Sequence, residues 1–250
     1  MTTISAIIPT YNRPKFLEST LLALYEQTFK DFEVIVVDDG SNDYEANFNK
    51  TICEVYSDMD LSIKYIKLHK NSGTVSIPRN IGIAHANGKF IAPVDDDCLC
   101  EREKFGVLSE LMGENVVLAY GERLDCEMIN GKINPRNISR TAYLQVEKTG
   151  LGVDNGQFIY DKSVYDIAGP TFPINACDWE TYQLIAPYGD FAYTPEVVCK
   201  YIWHATNSSR TPKEKRVDPM KILGEFKKYF VDTRYEDVVA SMCNQGDVSS

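Results

Sequence analysis

Three consecutive carboxylates, Asp95, Asp96 and Asp97, follow an apolar run at residues 90–94 that predicts a buried strand. Adjacent carboxylates repel one another, and burying them is unfavourable unless a cation compensates their charge. Asp95 and Asp97 should point to the same side of an extended backbone, because side chains alternate along a strand. Two hard oxygen ligands on one side suit Mg²⁺ or Mn²⁺, and such a cation usually carries a substrate diphosphate as well. An acidic turn that caps a helix starting near Glu101 is the competing interpretation.

The elements that must position these acids follow from the apolar pattern. Strands are predicted at residues 5–9, 33–37, 63–68, 90–94 and 116–120, and helices at 14–27, from 41 to about 56, at 80–87 and at 101–112. Strands that alternate with helices predict an α/β fold, with a mostly parallel central sheet flanked by helices. Ligands bind beyond the carboxyl ends of such strands, so the polar clusters at 10–13, 38–41 and 95–97 are expected to converge.

The rest of the chain is less regular. Asn80 is predicted to be the N-cap of the third helix. Residues 121–160 show no clear period apart from a short strand at 158–160, and a further strand-like run covers 197–203. Helices are predicted at 178–186 and, with an amphipathic pattern, at 220–230.

Composition restricts the class of protein. The 250 residues, 44% hydrophobic and 25% charged, fit one sizeable globular domain or one domain with an appendage. The sequence has no apolar run long enough to span a membrane and no secretory pattern at its start, so a cytoplasmic protein is expected. Seven cysteines without a Cys-x-x-Cys spacing indicate reduced thiols, and zinc at Cys98 and Cys100 is disfavoured because no second pair lies nearby. The net charge of −10 disfavours a broad nucleic-acid surface, although residues 210–228 carry seven Lys/Arg against three Asp/Glu.

Five segments occur in the order and spacing of the family 2 glycosyltransferases, which the chain resembles. They are residues 7–13 (IIPTYNR), 27–41 (QTFKDFEVIVVDDGS), 71–73 with 79–82 (NSG and RNIG), 86–91 (ANGKFI) and 95–97 (DDD). The resemblance is strong over about residues 1–120, weaker from 150 to 210, and absent over 211–250. It implies a GT-A fold and a glycosyltransferase domain at 1–210, in which 1–120 are the nucleotide-binding half and 121–210 the acceptor half. Residues 211–250 are expected to form a C-terminal helical extension.

The resemblance also implies residues that bind the donor nucleotide sugar. Asp39 is expected to accept a hydrogen bond from the base, Arg79 to lie near the base or diphosphate, and Asp95 to reach the ribose. The remaining residues of the expected donor site are Pro9, Thr10 and Tyr11, which would line a uridine pocket, with Arg13 and Asp96. Alternatives remain open for three of these residues: strand-end packing for Tyr11, a surface arginine for Arg79, and a solvated or structural side chain for Asp96.

Metal binding and catalysis are assigned in the same way. Asp97 is the expected metal ligand, and His204 a second one, since imidazole suits Mn²⁺ as well as carboxylates do. The family often has another Asp where this chain has Cys98, which leaves the ligand set open. Asp178 matches the family's catalytic base, with Glu180 as the backup, although an aspartate before a helical stretch can also be an N-cap.

These assignments predict a metal-dependent, inverting glycosyltransferase that uses a nucleotide sugar, with UDP as the expected nucleotide. The cation compensates the charge of the leaving diphosphate while the base takes the proton of the acceptor hydroxyl on the opposite face. The expected acceptor is a glycan or a lipid-linked glycan. The basic residues at 210–228 suggest peripheral contact with anionic lipid at the inner membrane face, or else a helix packed on the core.

Three other functions compete with this prediction. A glycosyltransferase that acts on modified nucleic-acid bases could use the same basic residues. A nucleotidyltransferase that makes nucleotide sugars is disfavoured, because the first strand is not followed by a glycine-rich phosphate loop. A non-catalytic nucleotide-sugar binder is disfavoured because the chain retains Asp39, Asp97 and Asp178.

Overall fold

The computed structural model describes residues 3–129, 132–139, 153–169, 181 and 185–203. The described strands are β1 (Ile4–Thr10), β2 (Phe32–Asp38), β3 (Ile63–Lys67), β4 (Phe90–Pro93), β5 (Cys98–Cys100), β6 (Val116–Ile129), β7 (Lys132–Ser139), β8 (Phe158–Asp161) and β9 (Asp190–Trp203). The described helices are α1 (Pro14–Tyr25), α2 (Asp43–Asp58), α3 (Ser76–Ala84), α4 (Lys104–Leu111) and α5 (Ser163–Ala168). The predicted helix at 220–230 and the extension at 211–250 lie outside these ranges, so the division of the chain at residue 210 stays a prediction.

One sheet carries all of these strands, in the order β3-β2-β1-β4-β8-β6-β9-β5, with β7 paired to β6. The first four are mutually parallel, as are β6 and β9. Parallel neighbours end at the same edge of a sheet, and Thr10 at the end of β1 lies opposite Asp38 at the end of β2. The α/β class predicted from the sequence is therefore confirmed, and the polar residues after β1, β2 and β4 share one edge.

Alternation along the central strands explains how both faces of the sheet are buried. In β1, Ile4 and Ile8 pack on one face with Leu17 and Leu21 of α1. Ile7 packs on the opposite face among residues that include Ile81 of α3. A strand covered on both faces is apolar at nearly every position, which accounts for the continuous apolar runs in the sequence. The two apolar layers fix the strand ends that carry the polar residues.

Two element boundaries differ from the prediction. Helix α3 begins at Ser76, so Asn80 is buried within the helix and Val75 is the N-cap; the prediction of Asn80 as N-cap is wrong. Pro78 permits the earlier start, because a residue in the first turn of a helix needs no N–H donor. After the acids the chain forms strand β5, and α4 begins only at Lys104 with Glu103 as its N-cap. The acidic triplet therefore does not cap that helix.

The region predicted to lack a period contains most of the long strand β6 and all of β7. Its pairing with β9 shifts register at several points, and its pairing with β7 shifts between Asp125 and Cys126. Glu122 and Asp125 are buried in β6, so polar residues occupy positions where a simple apolar–polar alternation would place hydrophobic ones. These bulges and buried acids conceal the strand in the sequence.

Two further observations concern membranes and cysteines. Within the described ranges, no helix combines the length and apolar character needed to cross a bilayer. The cysteines of those ranges are free, buried thiols: Cys53, Cys98, Cys100, Cys126 and Cys199.

Gly40 is a position where the fold requires glycine, and its substitution should be costly. Its φ is +73°, and a Cβ there would lie 2.2 Å from the backbone carbonyl carbon of Lys70. We expect Gly40→Ala to lower the free energy of unfolding by about 2–4 kcal/mol, measured by urea denaturation. The matched control is Gly106→Ala in α4, where a Cβ meets nothing within 4 Å and should add up to about 1 kcal/mol. Equal stability of Gly40→Ala and the wild type would contradict this prediction.

Candidate active site

Backbone and side-chain hydrogen bonds join the loops that follow β1 and β2. The amide of Asp39 donates to the carbonyl of Thr10 at 2.8 Å. The amide of Asn12, whose φ is +54°, donates to the hydroxyl of Ser41 at 2.8 Å. The amide of Asn42 in turn donates to the side-chain oxygen of Asn12 at 3.0 Å. The two loops therefore form one connected structure at the carboxyl edge of the sheet.

The buried carboxylate of Asp38 fixes the loop that follows β2. It accepts hydrogen bonds from the amide of Ser41 at 2.8 Å, Asn49 Nδ2 at 2.8 Å and the hydroxyl of Tyr65 at 2.7 Å. These partners come from the following turn, from α2 and from β3. Asp38 thus fixes the turn that aims its neighbour Asp39, a positioning role that the sequence did not assign.

Asp39, the next residue, is held by the loop that follows β3. Its carboxylate accepts hydrogen bonds from the amide of Ser72 at 3.0 Å, the hydroxyl of Ser72 at 2.9 Å and Asn71 Nδ2 at 3.1 Å. Burial raises the pKa of Asp39 to about 7, against the opposing effect of the Ser72 hydrogen bonds. Asn71 and Ser72 belong to a segment that resembled the family, but their contact with Asp39 was not predicted.

The three acids after β4 have different partners. Asp96 is buried and accepts hydrogen bonds from the hydroxyl of Thr10 at 3.1 Å and from Arg13 at 3.0 Å. Asp97 is buried and forms an ion pair with the same guanidinium of Arg13 at 3.3 Å. Asp95 is more exposed and forms an ion pair with Arg79. One guanidinium therefore compensates two of the carboxylates, and a second compensates the third.

The acidity of Asp96 reflects this competition. Burial raises its pKa to about 7, while the charge of Arg13 acts in the opposite direction and Asp97 adds to the rise. The alternative of a solvated Asp96 is wrong, since the side chain is buried and bonded to Thr10 and Arg13. The alternative of Arg79 as a surface arginine is also wrong, because Arg79 is buried against Asp95.

The remaining predicted site residues are placed as follows. Pro9 and Thr10 are buried at the end of β1, and Tyr11, which follows, is 44% exposed. Strand β9 reaches the acids from the other side, because the amide of Ile202 donates to the carbonyl of Asp97 at 3.1 Å. Three residues lie outside the described ranges, and their roles stay predictions: Asp178, Glu180 and His204.

The chemistry of the acids suits a divalent cation that is shared with a ligand. No group of three or more His, Cys, Asp or Glu side chains within the described ranges could hold a metal alone. Mg²⁺ and, by similar ligand preference, Mn²⁺ need only one or two protein carboxylates when substrate phosphates and water complete the coordination. Asp95 and Asp97 can supply such carboxylate oxygens at the edge of the sheet. The residues therefore fit a cation bound together with a diphosphate.

Comparison with known proteins identifies the family of this chain and two of its relatives. The sequence profile described as Glycosyl transferase family 2 matches residues 5–170. The poly(ribitol-phosphate) beta-N-acetylglucosaminyltransferase TarP of Staphylococcus aureus is 33% identical over 181 residues, which cover 66% of this chain and 51% of that protein. An uncharacterized glycosyltransferase of Rickettsia conorii is 38% identical over 114 residues, covering 46% and 18%. The chain therefore spans about half the length of TarP and less than a fifth of the length of the Rickettsia conorii protein.

Solved structures share the fold. Staphylococcus aureus TarS 1–349 in complex with UDP-GlcNAc has a TM-score of 0.69 at 20% identity, covering 97% of this chain and 72% of that one. The mannosyltransferase PcManGT from Pyrobaculum calidifontis, in complex with GDP-Man and Mn²⁺, has a TM-score of 0.60 at 16% identity, covering 99% and 76%. The GT-A fold predicted from the sequence is therefore confirmed.

The shared guanidinium of Arg13 should be needed for stability. Arg13→Met leaves two buried carboxylates without it, so we expect a loss of about 3 kcal/mol in the free energy of unfolding. Adding Asp96→Asn should recover at least about 1 kcal/mol, because a buried charge is removed. The control Lys50→Met, in an exposed pair with Glu54, should cost less than about 0.5 kcal/mol. If the losses of unfolding free energy caused by Arg13→Met and Asp96→Asn, measured by urea denaturation, simply add in the double variant, the predicted coupling between the two side chains is contradicted.

Proposed function

We propose that this chain, which belongs to glycosyltransferase family 2, transfers a sugar from a nucleotide-sugar donor to an acceptor hydroxyl with the help of a divalent cation. One observation carries the proposal: an oriented, buried carboxylate at Asp39 and the acids Asp95 and Asp97 share one edge of a parallel sheet. The carboxyl edge is where such sheets bind nucleotides. A base-binding group and a diphosphate-binding group are both needed for a nucleotide sugar.

The proposed donor is a UDP-linked sugar. Asp39, fixed by Asn71 and Ser72, would accept the N3–H of uracil, and the exposed ring of Tyr11 would pack on the base. The solved TarS complexes contain UDP and UDP-GlcNAc, and TarP is named an N-acetylglucosaminyltransferase. UDP-GlcNAc is therefore the first donor to test, with GDP-mannose as the comparison that PcManGT suggests.

The proposed metal site is centred on Asp97, with Asp95 reaching the ribose and Arg79 near the diphosphate. A bound Mn²⁺ or Mg²⁺ acts as a Lewis acid that compensates the charge of the leaving diphosphate. Mn²⁺ is present in the solved complexes of PcManGT and of GalNAc-T7. His204 is proposed as a further ligand, supported by the hydrogen bond that ties Ile202, two residues earlier, to the carbonyl of Asp97.

Asp178 is proposed to be the general base, with Glu180 as the alternative. The base takes the proton of the acceptor hydroxyl as its oxygen attacks the anomeric carbon, and the bond to the diphosphate breaks on the opposite face. This in-line geometry inverts the anomeric configuration. The proposed acceptor is a glycan or lipid-linked glycan hydroxyl, and lipid contact through residues 210–228 stays a prediction.

A donor-hydrolysis screen tests the proposed reaction. Nucleotide sugars are incubated with the protein in the presence of Mn²⁺, Mg²⁺ or EDTA, and release of the nucleoside diphosphate is measured. We expect release from a UDP-sugar that requires the cation and that falls at least about 100-fold in Asp97→Ala and Asp178→Asn. Asp43→Ala, at a carboxylate whose side chain is 97% exposed, is the matched control and should be unaffected.

Two outcomes of this screen contradict parts of the mechanism. Undiminished turnover by Asp97→Ala, or in EDTA, would exclude the metal-dependent mechanism. Near-normal turnover by Asp178→Asn would remove Asp178 as the base. Failure of every nucleotide sugar with every cation would contradict the function itself.

Donor binding should depend on pH through Asp39. An ionised carboxylate accepts the base N–H more strongly than the neutral acid does, and the pKa of Asp39 is raised to about 7 by burial. Protonation should therefore weaken UDP binding as the pH falls through 7, whereas affinity is full above it. At pH 8, Asp39→Asn should bind UDP about 10- to 100-fold more weakly, the value of one hydrogen bond to a charged group.

The pH dependence is measured by calorimetric titration of UDP from pH 6 to 8.5. Titration of the phosphate itself cancels in the ratio of wild-type to Asp39→Asn affinity. That ratio should fall towards one at low pH, because the wild-type carboxylate is then neutral. A ratio that does not change with pH would show that the ionisation of Asp39 is irrelevant to binding.

A further inference from the structure

Strands β6 and β9 present a polar and aromatic surface that the donor site does not use. Asp125 pairs with Tyr201 and Glu127 with Trp203 across the two strands, so these side chains share one face of the sheet, while Ile202 is buried on the other. Arg123 and Asp154 join the same cluster through an ion pair with each other. We call this surface the acceptor face: Arg123, Asp125, Glu127, Asp154, Tyr201 and Trp203.

The acceptor face lies directly beside the acids. Tyr201 pairs with Cys98, which follows Asp97, and the amide of Ile202 bonds the carbonyl of Asp97. In the strand order, β4 with the acids lies between β2, which leads to Asp39, and the pair β6–β9. A nucleotide whose base reaches Asp39 and whose diphosphate reaches Asp97 therefore has its base on the side away from the acceptor face. The acceptor face therefore lies on the side from which the acceptor must approach the donor sugar.

Aromatic rings form one part of the face. The rings of Tyr201 and Trp203 are 5.2 Å apart at 82°, and both residues are partly exposed. The guanidinium of Arg123 covers the ring of Tyr201 at 5.0 Å. Trp203 is the last residue of β9 and lies beyond Tyr201 along the strand. The face of an indole ring is electron-rich and attracts the weakly positive C–H groups of a sugar ring.

Carboxylates outnumber arginines on the acceptor face and beside it. Arg123 lies 2.9 Å from Asp125 and also pairs with Asp154, and Arg136 of β7 pairs with Glu127 at 3.8 Å. Two arginines against three carboxylates leave this cluster of described residues with a charge of −1. An anionic acceptor would meet this charge and would have to displace an existing ion pair. A neutral hydroxyl can instead donate to a carboxylate without breaking one.

The carboxylate of Asp154 is exposed enough to accept such a hydroxyl. Its side chain is 34% exposed and pairs with Arg123. Asp125 is buried, and its Oδ1 lies 2.9 Å from Arg123 Nε, so this carboxylate holds the guanidinium in place.

We propose that the acceptor face binds an uncharged sugar, with its ring packed on Trp203 and a hydroxyl donating to Asp154. This inference rests on the proposed glycosyl transfer and narrows its acceptor. It predicts a neutral glycan as the preferred acceptor, in contrast to the poly(ribitol-phosphate) in the name of TarP.

The test measures transfer from the donor found by the hydrolysis screen to two sets of acceptors. One set contains neutral glycosides and short neutral oligosaccharides, and the other contains ribitol-phosphate oligomers. The wild type should use the neutral set with a kcat/KM at least about 10-fold higher. Preference for the phosphate oligomers would overturn the proposal of a neutral acceptor. If the wild type hydrolyses a donor but transfers the sugar only to phosphate oligomers, the proposed glycosyl transfer still stands and only the neutral acceptor is excluded.

Two substitutions locate the effect on the acceptor face. Trp203→Ala should raise the KM for a neutral acceptor about 10-fold, with UDP affinity retained as evidence of a folded donor site. Tyr44→Ala, at a 68% exposed ring on α2, is the matched aromatic control and should change neither value. An unchanged acceptor KM in Trp203→Ala would overturn the proposal.

A substitution at Glu127 tests whether the charge of the face selects the acceptor. Glu127→Lys would change the charge of the face and its neighbour Arg136 together from −1 to +1, at a side chain that is 45% exposed and so tolerant of substitution. Its preference for neutral over phosphate acceptors should fall several-fold, and Glu127→Gln should show an intermediate fall. Identical preferences in the wild type and both variants would contradict the electrostatic basis of the selection.

Discussion

The guanidinium of Arg13, shared by the carboxylates of Asp96 and Asp97, is the interaction on which the site depends. Two buried carboxylates in sequence repel one another, and burial together with the charge of Asp97 raises the pKa of Asp96 to about 7 against the opposing effect of Arg13. Arg13 ends the loop after β1 and precedes α1, so its ion pairs also join β1 to the end of β4. The hydroxyl of Thr20 in α1 adds a hydrogen bond to the carbonyl of Asp96 at 2.9 Å. The acids can therefore remain at the sheet edge because Arg13, in the loop between β1 and α1, supplies their counter-charge.

The same edge separates the groups of the proposed nucleotide-sugar site by strand order. Asp39 follows β2 and is fixed by a loop that follows β3, whereas the acids follow β4, two strands away. Beyond β4 lie β6 and β9, whose register brings Tyr201 and Trp203 beside Asp97. In the proposed function, base, diphosphate and acceptor would therefore occupy successive positions along one sheet, in the order in which the atoms of the reaction are connected.

Much of this arrangement could be predicted from the sequence, for identifiable reasons. Continuous apolar runs at β1, β2 and β4 reflect burial on both faces, and each run ends in polar residues, so their convergence followed from parallel topology. The contact between Asp39 and Ser72 could not be read in the same way, because it joins residues 33 positions apart with no periodic signal. The start of β6 was predicted at residues 116–120, but its continuation to Ile129 was missed because buried acids and register shifts interrupt the alternation. Asp178 and His204 lie outside the described ranges, so their assignment still rests on resemblance.

The central claim is that base and diphosphate bind at two separate groups, Asp39 and Asp97, on one sheet edge. The most direct measurement compares the affinities of uridine and UDP, each with and without Mn²⁺, for the wild type, Asp39→Asn and Asp97→Ala. Loss of Asp39 should weaken both ligands, whereas loss of Asp97 should weaken only UDP and remove the effect of Mn²⁺. Equal weakening of uridine by both substitutions, or UDP affinity that is independent of Mn²⁺ in the wild type, would contradict the claim.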